Sequence, residues 1–264
     1  MIKKLFKKFL RLKNRKITLL NNFDYLNPLD NESIDKNFKL ILREAYSKLR
    51  PLVSKENIGS PHDLSIYTSI EYLNLNKISG DIVEIGVDDG MKIYQAIKYN
   101  QNFKNFERNF YLYDTFSGMT KPSKNDYSFH NQDKKHNLKK YKKLRNTNFV
   151  DWNYTSYEKV KFNMKQTGYD MKKINLIKGD VLNTIPNQFH KKIALLRIDV
   201  DWELPHYHSL KYLYNKVVKN GIIIFDDYGS YYGAKKSIDK FFSEKKIKPL
   251  LISTSPKEKI LLKT

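Results

Sequence analysis

The sequence has no cysteine among its 264 residues. This excludes disulfide bonds, thiolate nucleophiles and cysteine-ligated zinc or iron–sulfur centres. It fits a reducing compartment, and we expect the cytoplasm. Long apolar runs are also missing, because no stretch approaches the roughly 20 residues of a transmembrane helix. The basic amino terminus is not followed by the continuous apolar segment of a secretory signal.

Acidic residues are scarce beside basic ones. The 28 Asp and Glu residues face 49 Lys and Arg residues, which gives a net charge of +21. Such a charge favours polyanions, whether nucleic acid, anionic lipid, or an acidic glycan or nucleotide-linked substrate, without choosing among them. The hydrophobic content of 40% is enough for a sizeable core, so global disorder is disfavoured.

The first 16 residues, MIKKLFKKFLRLKNRK, have a helical period. Apolar side chains recur every three or four positions, and lysines occupy the opposite face. One interpretation is an amphipathic helix at an anionic membrane surface, which would place the protein at the inner face of the membrane. The other is a basic helix whose apolar stripe packs on the domain. The periodicity is compatible with both.

The remaining pattern divides the chain into a basic helical extension, residues 1–55, and one α/β domain, residues 56–264. A helix is predicted within residues 32–53, ending near Pro51. Others are predicted from Pro61 to about residue 76, after Gly90, and near 154–167, 206–218 and 233–244. Strands are predicted at 81–87, 109–116, 174–181, 193–200, 221–227, 248–254 and 257–264. Alternating strands and helices indicate a doubly wound, mainly parallel sheet, and the last two strands form an antiparallel hairpin because no helix separates them. Residues 118–150 are expected to form a lid or substrate loop.

Ligands of such sheets bind at the carboxyl ends of the strands, where this sequence places a series of acids and glycines. The candidates for contacts with a nucleoside cofactor are Glu84, Gly86, Gly90, Asp114, Ser117 and Asp180. The dinucleotide fingerprint G-x-G-x-x-G is absent, and Asp88 and Asp89 would repel a diphosphate. A positively charged cofactor such as S-adenosyl-L-methionine suits this acidic loop better.

The stretch LLRIDVDWE carries three carboxylates at alternate positions, Asp199, Asp201 and Glu203, which would share one face of a strand. The next strand ends in Asp226 and Asp227. If the two strands are neighbours, the carboxylates of Asp199, Asp226 and Asp227 meet, and such oxygen ligands select Mg²⁺, with Mn²⁺ or Ca²⁺ as alternatives, over zinc. Solvated or helix-capping acids are the alternative, and Arg197 could neutralise them instead of a metal.

Four further side chains follow the same strand and are candidates for a base or an acceptor pocket: Trp202, Glu203, His206 and His208. Because His206 and His208 are two residues apart, they cannot share a helix face. We take Asp199 and His206 as the catalytic candidates.

The motifs SGDIVEIGVDDG, YLYDTFSGM, INLIKGDVLNTIP, KIALLRIDVDWE and GIIIFDDYGSYYGAKKSIDKFF resemble those of class I S-adenosylmethionine-dependent methyltransferases, and more narrowly the macrocin O-methyltransferase family. The resemblance implies a Rossmann-like sheet of seven strands, cofactor contacts from Glu84, Gly86, Asp114 and Asp180, and Mg²⁺ on Asp199, Asp226 and Asp227. It also implies methylation of a sugar or related polyol hydroxyl, in glycan or natural-product biosynthesis. There the metal binds vicinal hydroxyls of the acceptor, and a nearby carboxylate such as Asp199 takes the proton.

Two other functions compete with this one. Asp199-Val200-Asp201 matches the D-x-D by which metal-dependent glycosyltransferases hold a nucleotide sugar, although this leaves the other motifs unexplained. Alternatively, the charge marks a basic module that binds nucleic acid or membrane, but no RNA-stacking motif is present. The expected partners are a small-molecule or glycan acceptor, an anionic membrane through residues 1–16, and a second copy of the chain in a homo-oligomer; nucleic acid is disfavoured.

Overall fold

The structure, a computed structural model, describes residues 35–54, 57–103, 106–145, 150–187 and 190–264. Within these ranges one sheet contains β1 (Asp81–Ile85), β2 (Phe110–Asp114), β3 (Ile174–Lys178), β4 (Ile193–Ile198), β5 (Val217–Phe225), β6 (Ile252–Ser253) and β7 (Lys259–Leu262). The strand order is β3-β2-β1-β4-β5-β7-β6, and β7 runs antiparallel to β5 and β6. The predicted α/β sheet with a closing hairpin is confirmed.

Helices cover both faces of this sheet. They are α1 (Lys36–Leu49), α2 (Pro61–Leu75), α3 (Met91–Gln101), α4 (His136–Leu144), α5 (Tyr157–Lys165), α6 (Val181–Thr184), α7 (Glu203–Leu213) and α8 (Tyr232–Glu244). Neighbouring strand residues point to opposite faces, so Ile82 packs with the core of α1, α2 and α3, and Val83 packs with that of α7 and α8. This two-sided burial explains why the central strands are almost continuously apolar.

Helix α1 belongs to the first of these cores. Phe38, Leu42 and Ala45 are fully buried on one side of it, at the i, i+4, i+7 spacing of a helix face. Asp35 caps its amino end by accepting a hydrogen bond from the backbone N–H of Asn37 at 2.6 Å. The boundary drawn at residue 55 thus separates two segments that share a core. The predicted helix of residues 1–16 lies outside the described residues.

Several element ends differ from the predicted ones. Strand β4 ends at Ile198, because the chain turns through a left-handed conformation at Asp201 (φ 57°) and α7 begins at Glu203. The segment predicted as a lid contains helix α4, whose Tyr141 and Leu144 face the domain. Lysines at most other α4 positions hide this short stripe from a periodicity search. No helix in the described part of the chain is long and apolar enough to span a membrane.

Candidate active site

The carboxyl ends of β1, β2, β3 and β4 open onto a cleft of about 460 Å³, a size typical of small-molecule sites. Its two walls differ in chemistry. The strand side consists of Gly86, Asp88, Asp114, Thr115, Asp180, Val181 and Leu182. The loop side consists of Gly118, Met119, Thr120, Lys121, Pro122, Ser123, Asp126, Trp202, Leu204 and Pro205. Residues 199–201 lie where the two walls meet.

Backbone amides orient two predicted acids on the strand side. The carboxylate of Asp114 accepts hydrogen bonds from the N–H groups of Val87 and Phe116, both at 2.8 Å. Asp180 caps α6 by accepting from the N–H of Leu182 at 2.9 Å. Each carboxylate retains acceptor capacity toward the cleft. The strand-end acids predicted from the sequence therefore lie together in one wall.

The structure shows why a glycine is required at position 86, which the sequence alone did not. Its φ is +81°, and a Cβ atom there would lie 1.7 Å from the backbone oxygen of Asp199. A side chain cannot be accommodated, because backbone rather than a flexible side chain occupies that space. This glycine therefore allows the end of β4 to approach β1, which brings Asp199 to the cleft.

Six of the predicted site residues lie outside the cleft wall: Glu84, Gly90, Ser117, His206, Asp226 and Asp227. His206 is fully buried in α7, with its Nδ1 3.0 Å from the backbone oxygen of Trp202. Burial lowers the pKa of His206 to about 4, so the ring is neutral. It lies behind the cleft without a surface for substrate, and the geometry does not support the catalytic role predicted for it.

The acidic loop after β1 is partly neutralised from α1. The Arg50 guanidinium, just beyond that helix, donates to Asp89 at 2.6 and 3.0 Å and to Asp88 at 3.3 Å. Only Asp88 lines the cleft. The sequence predicted that both acids of this loop face the cofactor, and the structure places one of them there.

Arg197 pairs with three acids, Glu84, Asp199 and Asp226, and two further acids, Asp201 and Asp227, lie beside them. We call these five acids the carboxylate cluster. The guanidinium donates to Glu84 at 2.6 Å, lies 2.9 Å from a carboxylate oxygen of Asp199, and pairs with Asp226. Arg197 is 4% exposed and Glu84 2%, so these ion pairs are shielded from solvent. The sequence left two candidates to neutralise these carboxylates, Arg197 and a metal ion. The structure shows that Arg197 pairs with them.

Asp199, Asp226 and Asp227 nevertheless form a set that could hold a metal ion, since one oxygen of each lies within 4.8 Å of the others. We call these three the carboxylate trio. Asp227 also accepts a hydrogen bond from the N–H of Asp201 at 2.9 Å. Glu203, in contrast, starts α7 and pairs with Lys236 at 2.8 Å. The three carboxylates at positions 199, 201 and 203 therefore do not share the one strand face that the sequence predicted, because Glu203 already belongs to the helix.

One partner of Asp226, His62, had no sequence signal. The Nδ1 of His62, in the first turn of α2, lies 3.0 Å from Asp226 and 3.9 Å from the buried Glu258 beside β7. The other ring nitrogen of His62 lies 3.0 Å from the hydroxyl of Ser255. A segment distant in sequence thus holds the Asp226 carboxylate, and the position of His62 is fixed in turn by Ser255 and Glu258.

Negative charge exceeds positive charge in the carboxylate cluster, and its pKa values show this. Burial and the neighbouring Asp199 raise the pKa of Asp201 to about 7. Burial and the carboxylates of Asp201 and Asp199 likewise raise the pKa of Asp227. Burial would also raise the pKa of Asp226, but the Arg197 guanidinium and then His62 hold it well below its usual range. The cluster therefore has room for additional positive charge.

Asp126 anchors the loop side. Its carboxylate accepts hydrogen bonds from the N–H of Ser123 at 2.6 Å and from the N–H of Glu203, at the start of α7, at 2.7 Å. Its backbone oxygen accepts from the side chain of Asn137 in α4 at 2.8 Å. A single buried acid thus joins the loop, α4 and α7.

Gly233→Ala in α8 should release this loop. A Cβ atom at position 233 would lie 2.0 Å from the Asp126 carboxylate, so the carboxylate must move. We expect trypsin to cut the lysine-rich segment 121–145 several-fold faster in Gly233→Ala, because local opening controls cleavage. Ser243→Ala, at an exposed position of the same helix, is the control. Equal cleavage rates in the two variants would contradict the anchoring role of Asp126.

The only two tryptophans of the chain meet at the loop side. Their rings are 5.5 Å apart in an edge-to-face arrangement, and the Trp202 indole N–H donates to the backbone oxygen of Thr120 at 2.9 Å. Trp202 lines the cleft, and Trp152 packs behind it. The sequence named Trp202 as an acceptor-pocket candidate, and the structure places it in that wall.

The strand order, the acids at the strand ends and the cleft above them define a class I methyltransferase fold. Residues 8–255 match the family profile described as Macrocin-O-methyltransferase (TylF). The chain therefore belongs to the macrocin O-methyltransferase family, as its motifs predicted, and it is an S-adenosylmethionine-dependent O-methyltransferase. This membership displaces the glycosyltransferase interpretation of Asp199-Val200-Asp201. The match also includes most of the predicted extension.

Solved structures share this fold. The O-methyltransferase NovP is similar with a TM-score of 0.68 and 22% identity, over 86% of this chain and 96% of NovP. The calicheamicin methyltransferase CalS11 has a TM-score of 0.58 and 17% identity, over 89% and 88% of the two chains. PaMTH1 of Podospora anserina, solved with SAH bound, has a TM-score of 0.51 and 12% identity, over 96% of each chain. A comparison with curated proteins finds no match.

Proposed function

We propose that this protein transfers a methyl group from S-adenosylmethionine to a hydroxyl of a sugar or related polyol, with Mg²⁺ on the carboxylate trio, in glycan or natural-product biosynthesis. The observation that carries the proposal is the position of the trio beside a cleft whose two walls suit two different ligands. Family membership supports the reaction type, and the NovP and CalS11 matches support the fold.

The strand side suits the methyl donor. Asp114 and Asp180 present oriented carboxylates that can accept from ribose hydroxyls and from an adenine amino group. Asp88 and Asp199 add negative charge, which favours a sulfonium cation. Bound there, S-adenosylmethionine would supply the electrophilic methyl group.

The carboxylate trio fits a hard divalent cation. Its ligands are all oxygens, they converge within 4.8 Å, and the surrounding excess of negative charge would be relieved by a cation. Mg²⁺ held by Asp199, Asp226 and Asp227 would act as a Lewis acid that lowers the pKa of an acceptor hydroxyl. Arg197 and His62 hold Asp199 and Asp226 from outside the trio and so fix the directions of these carboxylates.

Asp201 is the better-placed proton acceptor. It lines the cleft next to the trio, it makes no ion pair among the described residues, and its raised pKa makes it a stronger base than an ordinary carboxylate. Burial and the neighbouring Asp226 also raise the pKa of Asp199, but only to about 6, because the Arg197 guanidinium 2.9 Å away favours the anionic form. We therefore assign proton removal to Asp201 and metal binding to Asp199. The loop side and residues 199–201 line the same cleft, so an acceptor bound between them would be aligned with these residues.

Asp114→Ala tests the cofactor assignment. The substitution removes the acceptor expected to bind the ribose, so we expect calorimetry to show S-adenosylmethionine binding to the wild type and a weakening of about tenfold or more in the variant. Asp239→Ala, on the surface of α8, should bind like the wild type. Absence of S-adenosylmethionine binding to the wild-type protein would refute the proposed function itself.

Radiolabelled methyl transfer to a panel of sugars then tests the metal assignment. Turnover should stop on addition of EDTA and return with Mg²⁺. Asp227→Asn should retain cofactor binding and lose most turnover. Undiminished activity in EDTA would overturn the metal assignment while leaving the methyltransferase assignment intact.

A further inference from the structure

Positive charge is concentrated in the segment that begins in the loop side of the cleft. Residues 121–145, which we call the lysine segment, contain nine basic and two acidic residues, a third of the net charge of +21 in under a tenth of the chain. The basic residues are Lys121, Lys124, Lys134, Lys135, Lys139, Lys140, Lys142, Lys143 and Arg145. A general lysine excess would spread along the chain, so this local concentration calls for its own explanation.

The two acids of the segment neutralise little of this charge. Asp126 is 3% exposed, and its carboxylate is taken by the backbone amides of Ser123 and Glu203. Asp133 pairs with Lys139 at 2.7 Å. In the described part of the chain no carboxylate lies within 4 Å of the ammonium groups of Lys121 or Lys140.

Lys121 lies where an acceptor would enter, and Lys140 lies just outside the cleft wall, with its ammonium near enough to Asp201 for the two charges to interact. Lys121 is part of the loop side of the cleft. The Lys140 ammonium lies 3.8 Å from the centre of the Trp152 ring, a cation–π contact, and Trp152 packs on Trp202 of the cleft wall. Tyr141 and Leu144 pack in the same aromatic cluster and hold α4, which carries Lys140, at the loop side.

The cleft is therefore electrically polarised. Its strand side and the carboxylate cluster are acidic and suit cations, namely a sulfonium and a divalent metal. The lysine segment at the loop side is basic and suits an anion. A neutral acceptor would leave the basic wall without a function, whereas a phosphate provides several acceptor oxygens for lysine ammonium groups.

We propose that the acceptor is a phosphorylated sugar, bound by Lys121 and Lys140 through its phosphate while its hydroxyl reaches residues 199–201. This inference rests on the proposed function and names its substrate class. The phosphate can belong to a sugar monophosphate or to a nucleoside diphosphate sugar, and the two share the chemistry argued here. Nucleic acid fits less well, because Trp152 and Trp202 are only 9% and 1% exposed and offer no open ring face for stacking bases.

Intrinsic fluorescence gives a direct assay, since both tryptophans lie at the proposed site. We expect glucose 1-phosphate and UDP-glucose to change the emission of the wild-type protein at concentrations where neutral methyl glucoside does not. Added salt should weaken both phosphate ligands, because the contacts are ionic. If UDP-glucose binds more tightly than glucose 1-phosphate, the acceptor is the nucleotide-linked sugar. If it binds equally or more weakly, the acceptor is the sugar monophosphate.

Lys121→Met and Lys140→Met should each weaken phosphate binding by about tenfold, the usual loss for one charged contact. The affinity of Lys140→Met is measured by calorimetry, because loss of the ammonium over the Trp152 ring changes the fluorescence of the free protein. Lys121→Arg should retain most of the affinity. Lys172→Met, in the exposed turn before β3 at the opposite edge of the sheet, is the matched control.

Equal binding of methyl glucoside and glucose 1-phosphate would overturn the inference, and so would unchanged affinity in both methionine variants. Displacement of the sugar phosphates by a 20-nucleotide RNA at lower concentration would identify a nucleic-acid surface instead. S-adenosylmethionine binding is measured in parallel. If it persists without phosphate preference, only this inference fails; if it is absent, the proposed function fails.

Discussion

Asp201→Asn is expected to lower the rate of methyl transfer by roughly 10²- to 10⁴-fold, the usual contribution of a general base. Asparagine cannot accept a proton at neutral pH, whereas its size and its hydrogen-bonding oxygen match those of aspartate. Because the Asp201 side chain belongs to neither the strand side nor the carboxylate trio, the affinity for S-adenosylmethionine should not change. Single-turnover rates together with calorimetry separate the two effects.

Asparagine is also the conservative choice for the backbone. Asp201 has a φ of 57°, a left-handed conformation that asparagine tolerates better than most residues. Its N–H donates to Asp227, and this contact survives the substitution. Glu203→Gln, two residues further on at the start of α7, controls for loss of a nearby charge. If Asp201→Asn retains more than about a tenth of the wild-type rate, the base lies elsewhere, with Asp199 the next candidate.

The sequence predicted the acids at the strand ends because of a general property of parallel sheets. Carboxyl ends of neighbouring strands meet at one edge, so Asp114, Asp180 and Asp199 could be placed together from the strand pattern alone. From the sequence we also assumed that β4 and β5 are neighbours, which would bring Asp199 beside Asp226. The structure has this pairing, with Ile198 opposite Phe225. These inferences needed only the order of the strands.

The partners of these acids could not be predicted in the same way. His62 and Asp226 are 164 positions apart, and Arg50 and Asp89 are 39 apart. No local pattern connects such pairs, since their approach depends on how α1 and α2 pack over the sheet. The role proposed for Asp201 could not be inferred for a different reason: strand alternation was extended past Ile198, where the chain in fact turns.

Arg197→Met should destabilise the folded protein by about 3–5 kcal/mol, the range for removing one member of a buried ion pair. The substitution leaves the fully buried Glu84 without its guanidinium, and burial already raises the pKa of that carboxyl to about 8 despite the partner. Asp199 and Asp226 would lose the same neighbour. Urea denaturation of the two proteins measures the difference in unfolding free energy.

The same variant distinguishes the two neutralising partners that the sequence left open. Mg²⁺ should restore part of the lost stability, because it can pair with Asp199 and Asp226, whereas Glu84 is outside the carboxylate trio and stays unpaired. Arg197→Met combined with Glu84→Gln should therefore recover stability that Mg²⁺ alone cannot. Arg197→Lys retains the charge, but one ammonium cannot span three carboxylates. Its free energy of unfolding should therefore lie between those of the wild type and Arg197→Met. If Arg197→Met unfolds at the wild-type urea concentration, the acids do not depend on the guanidinium. A loss of stability that Mg²⁺ restores only in part would instead show that Glu84 depends on the arginine, while Asp199 and Asp226 can be neutralised by either partner.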